Sequence, residues 1–172
     1  MLPRLKTDRS VALRPYEDAD RSVLAAMFAD GEQMALIFGG KPIVGPELDA
    51  FLLRYLVAYE DLRCGMAVVC CECTNTVVGH AGIVRCEYLG VPDYEFGFAL
   101  VPDCQGKGFA TALGRALIQY ALDSMNLSRV LATVHPSNAP SLRVMNKLGL
   151  RFVADLETRE RGPRRVFAAV RQ

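Results

Sequence analysis

The stretch from Tyr94 to Val134 constrains this chain more than any other. Tyr94–Val101 reads as a strand, Pro102–Lys107 as a turn, Phe109–Met125 as a helix and Arg129–Val134 as a buried strand. Leu113, Ala116, Leu117, Tyr120 and Ala121 form one apolar face of that helix. Strand, helix and strand in this succession close as a right-handed parallel crossover. The strands before it, Met66–Cys73, Val77–Tyr88 and Tyr94–Val101, are joined by short connections, one of them a tight turn around Asn75. Neighbours joined this way pair antiparallel. The chain must therefore build a mixed sheet.

The flanking segments add helices and edge strands. Val11–Arg14 reads as a short strand and Glu17–Ala29 as a helix with acidic residues in its first turn. Residues 30–46, broken by Gly31, Gly39, Gly40, Pro42, Gly45 and Pro46, read as a loop or a broken short helix. Glu47–Tyr59 carries Leu48, Phe51, Leu52, Tyr55 and Leu56 at helical spacing. Asn126 is placed to cap the helix that starts at Phe109. Beyond Val134, Asn138 is placed as an N-cap, Pro140 sits just inside a helix, and that helix runs to Leu148 and stops at Gly149. Phe152–Leu156 and Arg165–Val170 close the chain as strands around a Gly162-Pro163 turn. The expected fold class is α/β, mixed, in the order β-α-α-β-β-β-α-β-α-β-β. About seven strands form a mostly antiparallel sheet with one parallel pair.

Composition narrows the function classes. At 172 residues, one domain spanning 1–172 is expected. A chain of this size buries about 70% of its surface, enough for a core without disulfides or a structural metal. A formal net charge of +1 argues against a nucleic-acid partner. The longest apolar run, Gly65–Cys71, is far short of a membrane span, and the first ten residues lack the apolar core of a signal peptide, so a cytoplasmic location is expected. Cys64, Cys70, Cys71, Cys73, Cys86 and Cys104 cluster in apolar segments and read as buried, reduced thiols, with Cys104 exposed beside a glycine turn. The C-x-x-C spacing of Cys70 and Cys73 has no second Cys or His pair to complete a zinc site, so no metal is expected.

Chemistry concentrates at Gln105-Gly106-Lys107-Gly108-Phe109-Ala110, which ends a strand and opens a helix. Two glycines let backbone approach a ligand, and the first helical N–H groups have no internal partner. A pyrophosphate suits such a place, with Lys107 adding charge. The same glycines could simply make a turn. A dinucleotide fingerprint is a poor match: Thr111 stands where a third glycine belongs, and no acid follows the next strand, which ends at Val134-His135.

At these residues the chain resembles the GNAT superfamily of N-acetyltransferases. The family signature, Gln/Arg-x-x-Gly-x-Gly/Ala, is met by Gln105, Gly108 and Ala110. LRPYEDAD, YEFGFALVP and NAPSLRVMNKLGL, the last with Asn138, Ser141, Lys147 and Gly149, resemble three further family segments, in order, over about residues 5–171. The last is closest to the branch that acetylates N-termini of ribosomal proteins. The resemblance implies that the fourth and fifth strands splay apart and that acetyl-CoA enters the gap as cosubstrate. It implies pantetheine pairing at Ala99, Leu100 and Val101, a pyrophosphate on Gln105 to Thr111, and further cofactor contacts from Asn138 and Ser141.

It also implies direct transfer of acetyl to an amine in a ternary complex, with a backbone N–H near Leu100 facing the developing oxyanion. Glu95, between Tyr94 and Phe96, matches a position some members use for a catalytic base; the plainer alternatives are a solvent-facing glutamate and a salt-bridge partner. Met145 stands where many members carry a proton-donating Tyr, and Ser141 matches a serine given that duty in the resembled branch. Asn138 and Ser141 read equally as capping residues. His80 and His135 read as structural, although both lie near the expected slot. Arg159, Arg161, Arg164 and Arg165 flank the last hairpin, as a solvated face or as a surface for an acidic acceptor or a phosphate. In this fold the acceptor is shaped by residues 28–50 and 157–165. Met34, Leu36, Ile37, Phe38 and Val44 make the first of these apolar, and Asp30 and Glu32 would attract a cationic amine. The expected acceptor is a peptide N-terminus or a small-molecule amine, with no membrane partner, in a monomer or homodimer. The alternative is a non-catalytic acyl-CoA-binding or sensing module.

Overall fold

The computed structural model describes residues 4–37, 39–61 and 64–171, with side chains at all of these except 54–61. Phe38, Tyr55 and Leu56, expected above to be apolar contributors, lie outside the described side chains. The elements are β1 (Val11–Arg14), α1 (Arg21–Ala29), α2 (Gly31–Ile37), α3 (Gly45–Asp61), β2 (Gly65–Cys71), β3 (Val77–Cys86), β4 (Asp93–Leu100), α4 (Phe109–Gln119), β5 (Arg129–Val134), α5 (Ala139–Lys147), β6 (Arg151–Thr158) and β7 (Gly162–Val170). They form one seven-stranded sheet in the order β1-β2-β3-β4-β5-β7-β6. Every neighbouring pair is antiparallel except β4–β5, which is parallel. This is the expected mixed architecture.

The helices cover both faces. α4 buries Leu113 and Leu117 against Phe96, Leu100, Ala81 and Ile83. On the opposite face α1, α2 and α3 bring Leu24, Phe28, Met34, Leu48 and Phe51 together over Ala99. β1 is tied to this helical layer by Arg14, whose guanidinium donates to both carboxylate oxygens of Asp20 at 2.7 and 2.8 Å. The Glu17 N–H also donates to Asp20. Burial raises the Asp20 carboxyl, but the Arg14 and Glu17 hydrogen bonds outweigh it and hold it below its ordinary 3.8.

Several sequence expectations need correction. A distinct α2 occupies part of the segment read as loop or broken helix. Asp30 caps it, its Oδ1 accepting from the Glu32 and Gln33 N–H groups. The α4 helix widens into a π turn over Tyr120–Ser124, with the Met125 N–H donating to the Tyr120 carbonyl, before Asn126 turns the chain at φ +58°. The last hairpin turns at residues 159–161, and Gly162-Pro163 opens β7 instead of forming the turn. Only Cys64 and Cys70 are buried. Because β2 ends at Cys71, Cys73 falls in the turn and is exposed, while Cys71, Cys86 and Cys104 are half-buried.

Replacing Arg14 with Met should cost about 3–5 kcal/mol, because Asp20 would be left buried without its cation. Urea unfolding at neutral pH measures this. Asp20's contribution is present above its ordinary value and lost as pH falls through the depressed folded one, so Asp20→Asn should flatten the acid limb of stability below about pH 4.

Candidate active site

β4 and β5 hold hands at a single register position, Glu95 with Leu131. Beyond it their C-terminal ends diverge, and the gap opens into two adjoining cavities. The outer one, about 490 Å³, runs along Phe98, Ala99 and Leu100 to Gln105, Gly106, Gly108, Phe109, Ala110 and Thr111. The inner one, about 120 Å³, lies deeper between β4 and β5 and includes Glu95, His80, Thr133, His135, Met145, Arg161 and Arg164. Phe98, Ala99, Asn138, Ser141, Leu36 and Ile37 line both.

The strand edge facing the gap has open hydrogen-bonding groups. The Val101 N–H donates to the Val78 carbonyl of β3, so the alternation of an extended strand turns the Leu100 N–H and C=O toward β5. The Leu100 carbonyl accepts from the side-chain amides of Gln33 at 2.9 Å and Gln105 at 3.1 Å. The Gln33 Oε1 is buried without a partner at the same place. An extended ligand carrying its own amides would find there a donor, the Leu100 N–H, and an acceptor, the Gln33 Oε1.

The mouth of the outer cavity is built for an anion. Gly106 and Gly108 have φ of +73° and +84°, left-handed conformations that suit glycine. No side chain caps α4, and Ala112 is the first residue whose N–H bonds back, to the Gly108 carbonyl. The N–H groups of residues 109–111 have no partner within the helix. Arg143 and Lys147 of α5 line the same cavity. The sequence reading missed Arg9, whose guanidinium lies 3.5 Å from where a Cβ on Gly108 would stand. It also missed Gln33. Neither belongs to a motif, and both reach the site only through the fold. Val101 and Lys107, expected at the cofactor, do not line the cavity.

In the inner cavity Glu95 is 6% exposed and fully engaged. Its carboxylate accepts from the Tyr88 hydroxyl at 2.7 Å, the Thr133 N–H at 3.2 Å, the Thr133 hydroxyl, and the Arg161 guanidinium at 3.2 Å. Arg161 also donates to the Thr133 hydroxyl at 3.1 Å and to the Tyr88 oxygen. Of the readings left open above, the salt-bridge partner is the one seen here. Burial, then the Glu95 charge, push the Tyr88 phenol well above its ordinary value, so it stays a donor. His80 is 4% exposed and packs on Phe28, ring centroids 5.2 Å apart, with Nδ1 unpartnered. Burial holds it down at about 4, so it is neutral near pH 7. The Asn138 side chain caps α5 by accepting from the Ser141 N–H at 3.1 Å. Ser141 thus sits where the two cavities meet.

A long ligand with an anionic end would lie along the open strand edge, with its reactive tip at the inner cavity. The family model described as an acetyltransferase (GNAT) domain matches residues 10–151, and this chain belongs to that family of N-acetyltransferases. Among curated relatives, an uncharacterized N-acetyltransferase of Bacillus subtilis, YnaD, is 43% identical over 77 residues. That match spans 45% of this chain and 44% of the relative, so the chain covers less than half of that protein's length. An acetyltransferase from Agrobacterium tumefaciens superposes with a TM-score of 0.84 over 99% of this chain and 96% of its own, at 22% identity. RimL, a ribosomal alpha-N-protein acetyltransferase in complex with coenzyme A, gives 0.80 over 97% of each chain, at 12% identity. The cosubstrate of this family is acetyl-CoA, and the residues of the outer cavity fit it. Among the described residues no group of three or more His, Cys, Asp or Glu is placed to hold a metal ion, and no helix is long and apolar enough to cross a membrane.

Gly108→Val forces a branched side chain into a left-handed backbone, a penalty of about 1–2 kcal/mol, and crowds Arg9. The affinity for acetyl-CoA should fall by about tenfold, read by calorimetry, while the Tm of the free protein drops by about 2–8 °C and the fold is kept.

Proposed function

We propose that this chain transfers the acetyl group of acetyl-CoA to a primary amine by direct attack within a ternary complex. The observation that carries the reading is the single-pair junction of β4 and β5, which joins a long anion-ended cavity to a small polar one. When bound, acetyl-CoA supplies an acetyl group already activated as a thioester.

The protein's own groups do the rest. The turn from Gln105 to Thr111, with Gly106 and Gly108, and the basic residues Arg143, Lys147 and Arg9 bind the phosphates. The edge at Ala99 and Leu100, with Gln33, Gln105 and Asn138, aligns the pantetheine arm. The Leu100 N–H, turned to the gap, faces the acyl oxygen as its charge grows. Among the described residues Glu95 is the one carboxylate lining the inner cavity. In this reading it receives the amine's proton, while Arg161, Tyr88 and Thr133 hold it in place. Ser141, at the meeting of the cavities, orients the sulfur as it leaves, since Met145 has no proton to give. The acceptor amine enters by the inner cavity, under α2 and the β6–β7 hairpin. RimL, solved with coenzyme A, supports the cosubstrate but not an acceptor.

Two substitutions test the roles. Glu95→Gln should lower kcat/KM by about 100-fold near neutral pH, the lower end of what general-base catalysis contributes. Unchanged turnover, with only stability reduced, would leave Glu95 as a structural partner of Arg161. Ser141→Ala should lower kcat several-fold with KM for acetyl-CoA nearly constant; retained kcat removes it from the reaction.

A further inference from the structure

The inner cavity holds a charge the chain does not balance. Arg164, on β7, is 2% exposed. Its guanidinium donates to the Leu36 carbonyl at 2.8 Å, the Ile37 carbonyl at 2.7 Å and the Arg161 carbonyl at 2.8 Å. All three are neutral acceptors. Among the described residues no carboxylate pairs with it, and its Nε has no partner. Buried charges are ordinarily paired, and an isolated one costs several kcal/mol. The neighbouring cation, Arg161, takes the Glu95 carboxylate.

Among the described residues the cavity wall therefore carries two guanidinium groups and one carboxylate. The carbonyls at the end of α2 offset only about half a charge at most. His80 adds none, being neutral near pH 7. The acidic residues that were expected to draw in a cationic amine, Asp30 and Glu32, line the outer cavity and not this one. Burial, then Arg161, pull Arg164 down to about 10, and the Glu95 charge, already paired with Arg161, offsets this only in part.

Resting on the reading of this site as an amine acetyltransferase, we propose that the acceptor is a small amine that also carries a carboxylate or an equivalent oxyanion. Its negative group is the counter-ion of Arg164, which is then the residue that determines acceptor specificity. At about 120 Å³ the cavity has room for roughly four waters at about 30 Å³ each, which suits a short amino acid and not a folded partner. A polyamine would bring a second positive charge to a wall that is already positive. The structural duty of Arg164, holding the end of α2 to the hairpin, uses its two terminal nitrogens and leaves Nε for the ligand.

The test compares matched acceptors with acetyl-CoA, following free CoA thiol: glycine with glycinamide, β-alanine with β-alaninamide, 4-aminobutyrate with its amide, and spermidine. The amide of each pair is the less basic amine, so more of it is unprotonated near neutral pH, and any preference for the acid runs against intrinsic reactivity. For at least one pair the free acid should show at least a tenfold higher kcat/KM than its amide, with spermidine the poorest. Arg164→Gln should erase that difference while acetyl-CoA affinity stays within about twofold. Should that variant fail to fold, the wild-type pairs still decide. Amides or spermidine turned over as well as the acids, or no acid turned over by protein that binds acetyl-CoA, would overturn the inference and leave the transferase reading standing. Failure of the wild type to bind acetyl-CoA at all would take both down.

Discussion

The structure turns on one incomplete interaction, the pairing of β4 with β5. Parallel neighbours normally exchange evenly spaced hydrogen bonds along their length. Here their backbones pair at one register position, Glu95 with Leu131. On their far sides both strands are well paired, β4 with β3 from Gly79 to Cys86 and β5 with β7 from Arg129 to Val134. The sheet therefore stays one body while its middle opens. The β4 edge at Leu100 thus lacks a strand partner, and the side-chain amides of Gln33 and Gln105 take its carbonyl instead.

Opening a sheet exposes apolar surface and backbone, so it must be held open. α4 supports β4 from one face through Leu113 and Leu117. The α1–α3 layer rests on Ala99 from the other. The β6–β7 hairpin reaches back across the gap. Arg161 spans it to Glu95, Thr133 and Tyr88, and Arg164 spans it to the end of α2. These ties couple the floor of the inner cavity to α2, whose Leu36 and Ile37 line it. The residues that bracket the opening thus also determine its charge.

Much of this was legible in the sequence because it is local. Gly106 and Gly108 announce a turn that needs left-handed backbone, Asn138 announces a helix start, and the change from period two to helical period at Phe109 places the crossover. β5 was read to the residue. α2 was obscured by the glycines and prolines around it, although Asp30 caps a short run of helix formers from Glu32 to Leu36. The sequence reading allowed Glu95 a salt-bridge partner but could not say which residue it would be. Glu95 is 66 positions from Arg161, and Arg164 is 127 from Ile37. No periodicity relates such residues. Only the sheet order, with β7 inserted beside β5, brings them together. The family resemblance gave Glu95 a place but could not show that its carboxylate was already taken.

The central claim is that the opening between β4 and β5 is the seat of acetyl-CoA. Calorimetric titration of the folded protein with acetyl-CoA, with NADH as the control, tests it most directly. The account predicts saturable one-to-one binding of acetyl-CoA and none of NADH. Absence of acetyl-CoA binding by folded protein would mean that the turn at Gln105–Ala110 is structural or serves another anion, and would contradict the account.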